Sequence, residues 1–190
     1  MTKMERPDER KALEILREAD PEKYQAAILL DKPDIQNPKQ NIGVEVTQSL
    51  KESVLKALDL NGINVHNDGQ ILESIKERYG NDVLRINLPL PDSAKKAIAI
   101  SIANWHSLFN LIEAYDNKVE KLQSGNYKLY QENNLFIFVF GEDEKSIEQL
   151  AKHIYRNQTG RQYDFVYVYS QPNFYRIDRQ MNIEMKRLSI

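Results

Sequence analysis

The apolar run Leu135-Phe136-Ile137-Phe138-Val139-Phe140 constrains the fold of this chain more than any other stretch. An uninterrupted apolar segment of strand length is the profile of a central strand buried on both faces. Gly141 ends it. Lys145 to Tyr155 then repeats Ile147, Leu150, Ala151 and Ile154 at helical spacing, so one face is apolar. A polar loop, Asn157 to Gln162, leads to a second run over 163–170 rich in Val and Tyr. Strand, helix and strand in this order form a β-α-β unit, which calls for parallel strands and a right-handed crossover. The chain is therefore expected to be α/β, with a mixed β-sheet flanked by helices.

The second informative stretch runs from Asp31 to Leu50. Pro33 biases Lys32 towards extended backbone, so Asp34 and Ile35 are expected to open a short strand. Gln36 to Asn41 carry turn chemistry. Ile42 to Thr47 follow as a β-branched strand in which Val44 and Val46 face one way and Glu45 the other. A hairpin of these two strands brings Asp34 near Glu45. A carboxylate on an apolar strand is costly to bury alone, and a metal ion or a cationic side chain removes that cost.

The remaining segments are read in order. Asp8 is expected to cap a first helix running to about Ala19, with Ala12, Leu13 and Leu16 on one face and Glu9 beside them. Residues 21–30 suit either a short helix or a buried strand. Gln48 to Leu58 and Gln70 to Tyr79 read as helices, and Asp82 to Leu88 as extended. The longest helix is expected from about Ala94 to Gln123. Ile98, Ile102, Trp105, Phe109, Ile112 and Val119 form a broad apolar stripe there, which suits a core element or a homodimer seam. Tyr127 to Tyr130 is expected as a short strand, Gln131 to Asn134 as a turn, Phe174 to Ile177 as an edge strand, and Met181 to Ile190 as a polar tail or short helix. The expected core comprises Val44, Val46, Trp105, Phe109, Ile112, Phe136, Phe138 and Val166.

Composition narrows the chemistry. At 190 residues with 41% hydrophobic and 28% charged residues, one domain with a sizeable core is expected over 1–190. The absence of cysteine excludes disulfides, thiolate metal sites and cysteine nucleophiles, and fits a reducing cytoplasm. Met1 to Arg10 are too polar for a secretory signal, and no run is apolar enough to span a membrane. The net charge of -2 does not suggest a generic nucleic-acid binder, but residues 151–190 hold seven Lys/Arg against three Asp/Glu. That segment also carries Arg156, Arg161, Tyr163, Tyr167, Tyr169, Tyr175, Arg176 and Arg179, a set suited to contacting nucleic acid or to packing in strands. No glycine-rich phosphate loop is present, and His66, His106 and His153 lack metal-ligand spacing.

Pro33-Asp34, a loop, and then Glu45-Val46-Thr47 on an apolar strand resemble the signature of the PD-(D/E)xK (restriction-endonuclease-like) nuclease superfamily. The resemblance covers about the first quarter of the chain. It implies a core of helix, three strands, helix and strand, with residues 50–126 as a mainly helical insertion. It implies that Asp34 and Glu45 bind Mg²⁺ or Mn²⁺ and that the chain hydrolyses phosphodiester bonds in nucleic acid. Relatives with an acid on the first helix give Glu9 a place near the metal, although a Glu there is also favoured by the helix dipole. The family's motif lysine falls at Thr47. Lys51 is the first candidate to replace it, Lys32 and Lys39 are others, and Gln48 could hold the water or a phosphate. Two further readings stand beside this one: a catalytically inactive binding or regulatory module on the same fold, and a structural α/β protein in which Glu45 pairs with a Lys or Arg.

Overall fold

A computed structural model describes residues 6–49, 110–125, 128–139 and 144–190. Helix α1 (Pro7–Ala19) and a single turn α2 (Pro21–Tyr24) lead to strands β1 (Ile28–Leu29), β2 (Ile35–Asn37) and β3 (Ile42–Gln48). Helix α3 (Leu111–Gln123), strand β4 (Glu132–Phe138), helix α4 (Glu144–Arg156) and strands β5 (Phe165–Ser170), β6 (Asn173–Asp178) and β7 (Ile183–Arg187) complete the described elements. The chain is α/β, with a seven-stranded mixed sheet in the order β1 to β7.

The expected β-α-β unit is present. β4 and β5 pair in parallel with Phe136 opposite Tyr167, and α4 connects them. β3 is also parallel to β4, with Glu45 opposite Leu135. β1, β2, β6 and β7 pair antiparallel on the two flanks. Side-chain alternation divides the core into two layers. Val44, Val46, Phe136 and Phe138 face α1, where Ala12, Leu13, Ile15 and Leu16 are buried against them. Leu135, Ile137, Val166 and Val168 face α3 and α4, against Tyr115, Leu122, Ile147, Leu150 and Ile154. The run 135–139 is apolar throughout because helices cover both of its faces.

Of the expected core, Val44, Val46, Phe136, Phe138 and Val166 are buried, and Ile112 is half-buried against the second layer. Trp105 and Phe109 lie outside the described residues, as do the segments expected over 50–109. No helix among the described residues is long and apolar enough to cross a membrane.

Several boundaries differ from expectation for identifiable reasons. Arg6, not Asp8, precedes the first helix; Pro7 begins it with its preset φ, and Asp8 and Glu9 occupy the first turn, where the dipole favours acids. Gln48 ends β3 rather than starting a helix. Of the helix expected over 94–123, the described part runs from Leu111, after an extended Asn110 whose side chain accepts from Glu113 N. The Asn110 backbone N–H instead donates to Ser49 O, 2.8 Å away. β4 starts at Glu132, because Asn133 and Asn134 use their side chains to bind Tyr130 and the start of β5 while their backbones pair with β3. Residues 128–130 are not a strand. The tail forms β7, an exposed strand whose alternation is legible only once β6 supplies a partner.

Candidate functional site

The site is built on the turn between β1 and β2. Lys32 adopts φ 55 and is followed by a cis peptide to Pro33, so the chain turns into β2 instead of entering it extended, as its sequence suggested. Gln36 stitches this turn: its buried amide donates to Pro33 O at 2.8 Å and to Asp31 O at 3.3 Å. The Tyr130 hydroxyl donates to the same side chain. Gly43 allows the turn to lie flat on β3. A Cβ built there would stand 2.7 Å from both Pro33 Cγ and Tyr130 Cδ2, closer than carbon atoms approach without displacement.

This packing fixes Asp34. The pairing of β2 with β3 ends with Ile35 opposite Val44, so Asp34 stands just before the strand. The strand itself stops at Ile35, and the Asp34 carboxylate takes over as partner: Oδ2 accepts from Val46 N at 2.9 Å. Asp34 therefore lies beside the edge of β3, between the two helical layers. On the α1 side, Arg6 bridges it to Glu9. Arg6 Nη2 is 3.3 Å from Asp34 Oδ1, and the same guanidinium contacts Glu9 Oε1. Burial works against the Arg6 charge, but the carboxylates of Asp34, Glu9 and Asp8 outweigh it and raise its pKa.

Glu45 points the other way, into the layer under α3. There Lys118 Nζ lies 2.6 Å from Glu45 Oε1, with side-chain exposures of 14% and 7%. Tyr163, itself buried, donates to Lys118 O at 3.1 Å and holds that turn of α3 against the sheet. A cavity of about 10 Å³, roughly the room of one water, adjoins Glu45 between Gly43, Asn133 and Tyr163.

The candidate residues from the sequence fall as follows. Asp34 and Glu45 are both buried, Asp34 one residue before β2 and Glu45 within β3. Glu9 is fully buried, but it meets Asp34 through Arg6 from the α1 side, while Glu45 lies on the α3 side of β3. Gln48 shares the face of Val44 and Val46, so strand alternation turns it away from Glu45. Lys32 and Lys39 are exposed, and Lys51 lies outside the described residues. Lys118 and Arg6 were not among the candidates. Lys118 is one polar residue on an amphipathic helix, and no local pattern separates it from Lys121.

The charge partners decide how the acids fit a metal. Among the described residues no group of three or more His, Cys, Asp or Glu side chains is placed to hold an ion. Asp34 and Glu45 together offer two carboxylates, a hard oxygen set of the kind Mg²⁺ uses when water and substrate phosphates complete its shell. In the structure, however, Asp34 is engaged by Arg6 on the α1 side and Glu45 by Lys118 on the α3 side, and Glu9 is tied to Arg6.

The aromatic carboxyl-terminal segment packs inward. Tyr163, Tyr167, Tyr169 and Tyr175 are all buried, so stacking on nucleic-acid bases is not open to them. Arg176 pairs with Glu184, and Arg179 with Asp164. In comparisons with known proteins, no family model matches this chain, and neither does any curated protein or solved structure.

Proposed function

We propose that this chain is a metal-dependent nuclease-like protein of the PD-(D/E)xK type, with Lys118 in the role that the motif assigns to the position of Thr47. The observation that carries this reading is the Lys118–Glu45 contact at 2.6 Å on β3, the strand whose Val46 N–H also binds Asp34. The order α1, β2, β3, β4, α4, β5 supports it, being the helix, three strands, helix and strand that the resemblance implies. Asp34 and Glu45 would hold Mg²⁺ or Mn²⁺. When bound, such an ion supplies a water of lowered pKa and neutralises charge on a phosphodiester. Lys118 pairs with the Glu45 carboxylate and would offer its amino group to a phosphate oxygen. Arg6 orients Glu9 and Asp34, and Val46 N–H fixes the rotation of the Asp34 carboxylate.

A specific observation favours a second reading, the non-catalytic module. Arg6 and Lys118 already stand against the buried acids, so the cluster is largely charge-compensated by protein groups alone. Titration calorimetry with Mn²⁺ and cleavage assays on DNA and RNA separate the two. The nuclease reading expects binding that Asp34→Asn and Glu45→Gln each weaken at least tenfold, and cleavage that Lys118→Met abolishes while the metal still binds. Metal affinity untouched by both acid substitutions removes this reading. Metal binding without cleavage of any nucleic acid favours the module.

A further inference from the structure

We propose that β7 is the surface through which two copies of this chain associate, pairing antiparallel about a two-fold axis at Met185. Among the described residues β7 ends the sheet, and all five of its residues are exposed, Met185 at 56%. Hydrogen-bond parity shows what the edge offers. Leu188 N donates to Pro172 O and Asp178 N to Asn182 O, in register with the β6–β7 pairs. Antiparallel pairs alternate, so Glu184 and Lys186 bond inward to β6, and the backbone groups of Ile183, Met185 and Arg187 point out from the sheet. The chain on either side is tied to the body and, among the described residues, leaves this edge open. Gln158 holds Arg179 O, Ser189 bonds to Glu18, and Tyr169 donates to Ile190 O.

The side chains then select both the occupant and the register. Only positions 183, 185 and 187 can bond across the edge. Placing Met185 opposite Met185 of a second copy puts Ile183 opposite Arg187 and Glu184 opposite Lys186, twice each. Shifting the register by one bonded step in either direction sets Glu184 against Glu184 or Lys186 against Lys186, which is repulsive. The strand is therefore charge-complementary to itself in one register alone, the property of an isologous two-fold interface. Exposed edge strands commonly carry charges that block such pairing. Here Glu184 and Lys186 lie on one face, where they reach Arg176 and the end of α1, and their opposite signs admit a second β7.

Sedimentation velocity over a wide concentration series tests this with the full chain. The wild type is expected to shift from monomer towards dimer. Met185→Lys and Met185→Glu, which place like charges on the axis, are each expected to stay monomeric with unchanged melting temperature, and an equimolar mixture of the two is expected to dimerise. The chain has no cysteine, so Met185→Cys under mild oxidation should give a disulfide-linked dimer that Met181→Cys does not. A wild type that remains monomeric overturns the proposal. So does a Met185→Lys variant that dimerises like the wild type, or equal cross-linking at Met185 and Met181.

Discussion

Lys118 and Glu45 are 73 positions apart in sequence, and their charged atoms are 2.6 Å apart. One comes from α3, the other from the centre of β3, and neither side chain is more than 14% exposed. A pair this dry stabilises mainly by virtue of being complete. Each charge alone would be expensive to bury, so the fold holds both or suffers for the one left behind.

Lys118→Met is therefore expected to cost about 3 kcal/mol, because it takes a buried cation away from the Glu45 carboxylate. Adding Glu45→Gln removes that charge and should recover most of the loss. Urea unfolding of the two single variants and the double variant gives the coupling directly. Additive losses would mean that the pair is solvated and unimportant to stability.

Gly43→Ala should destabilise by about 1–3 kcal/mol, the usual range for forcing atoms into a filled site. The new methyl meets the Pro33 and Tyr130 rings, neither of which has an easy alternative position. Because Pro33 precedes Asp34, the same substitution should move the carboxylate off Val46 N and weaken any Mn²⁺ binding at Asp34. Unchanged stability would mean that the turn is free to lift from β3.

Arg6→Met removes the cation shared by Glu9 and Asp34. Arg6 is about a third exposed, so solvent softens the effect, and about 2 kcal/mol at neutral pH is expected. Urea unfolding of the variant at neutral pH measures this, and an unchanged midpoint would contradict the placement of Arg6.

Much of the scaffold was legible in the sequence. The run 135–139, the periodicity of Ile147, Leu150, Ala151 and Ile154, and the alternation of Val44, Glu45 and Val46 each report a local burial pattern, which a linear pattern can carry. The ion pairs were not legible, because they join elements that meet only in the folded chain. Glu45 announced that it needed a partner, but nothing near it in sequence named Lys118. The β7 strand was missed for a related reason. It is exposed on both faces, so burial imposes no alternation on it, and only pairing with β6 defines it. The Asp34 turn shows local context overriding a local rule. A proline usually sets an extended residue before it, yet Gln36, Tyr130 and Gly43 together hold a tighter turn.

Alkaline pH should expose another buried network, the one beneath α2. The hydroxyls of Tyr24 and Tyr167 are 2.7 Å apart, and Asn134 Nδ2 donates to Tyr24 at 3.0 Å. Burial raises the pKa of both tyrosines, and the Glu132 carboxylate adds to this. Tyr115 is likewise pushed up to about 12, by burial first and then by Asp116. These are acids whose neutral form the fold prefers. Their contribution is complete below the unfolded value of about 10 and is lost as pH rises above it, because the unfolded chain releases protons that the native state retains. Stability is thus expected to fall steadily above about pH 10, with tyrosinate absorbance from these three residues appearing only as the chain unfolds. The double variant Tyr24→Phe, Tyr167→Phe removes two titrating groups and both ends of one hydrogen bond but takes the acceptor from the buried Asn134 amide, so it should cost about 1–3 kcal/mol near neutrality while its alkaline slope flattens. A slope equal to that of the wild type would place the alkaline sensitivity elsewhere in the fold.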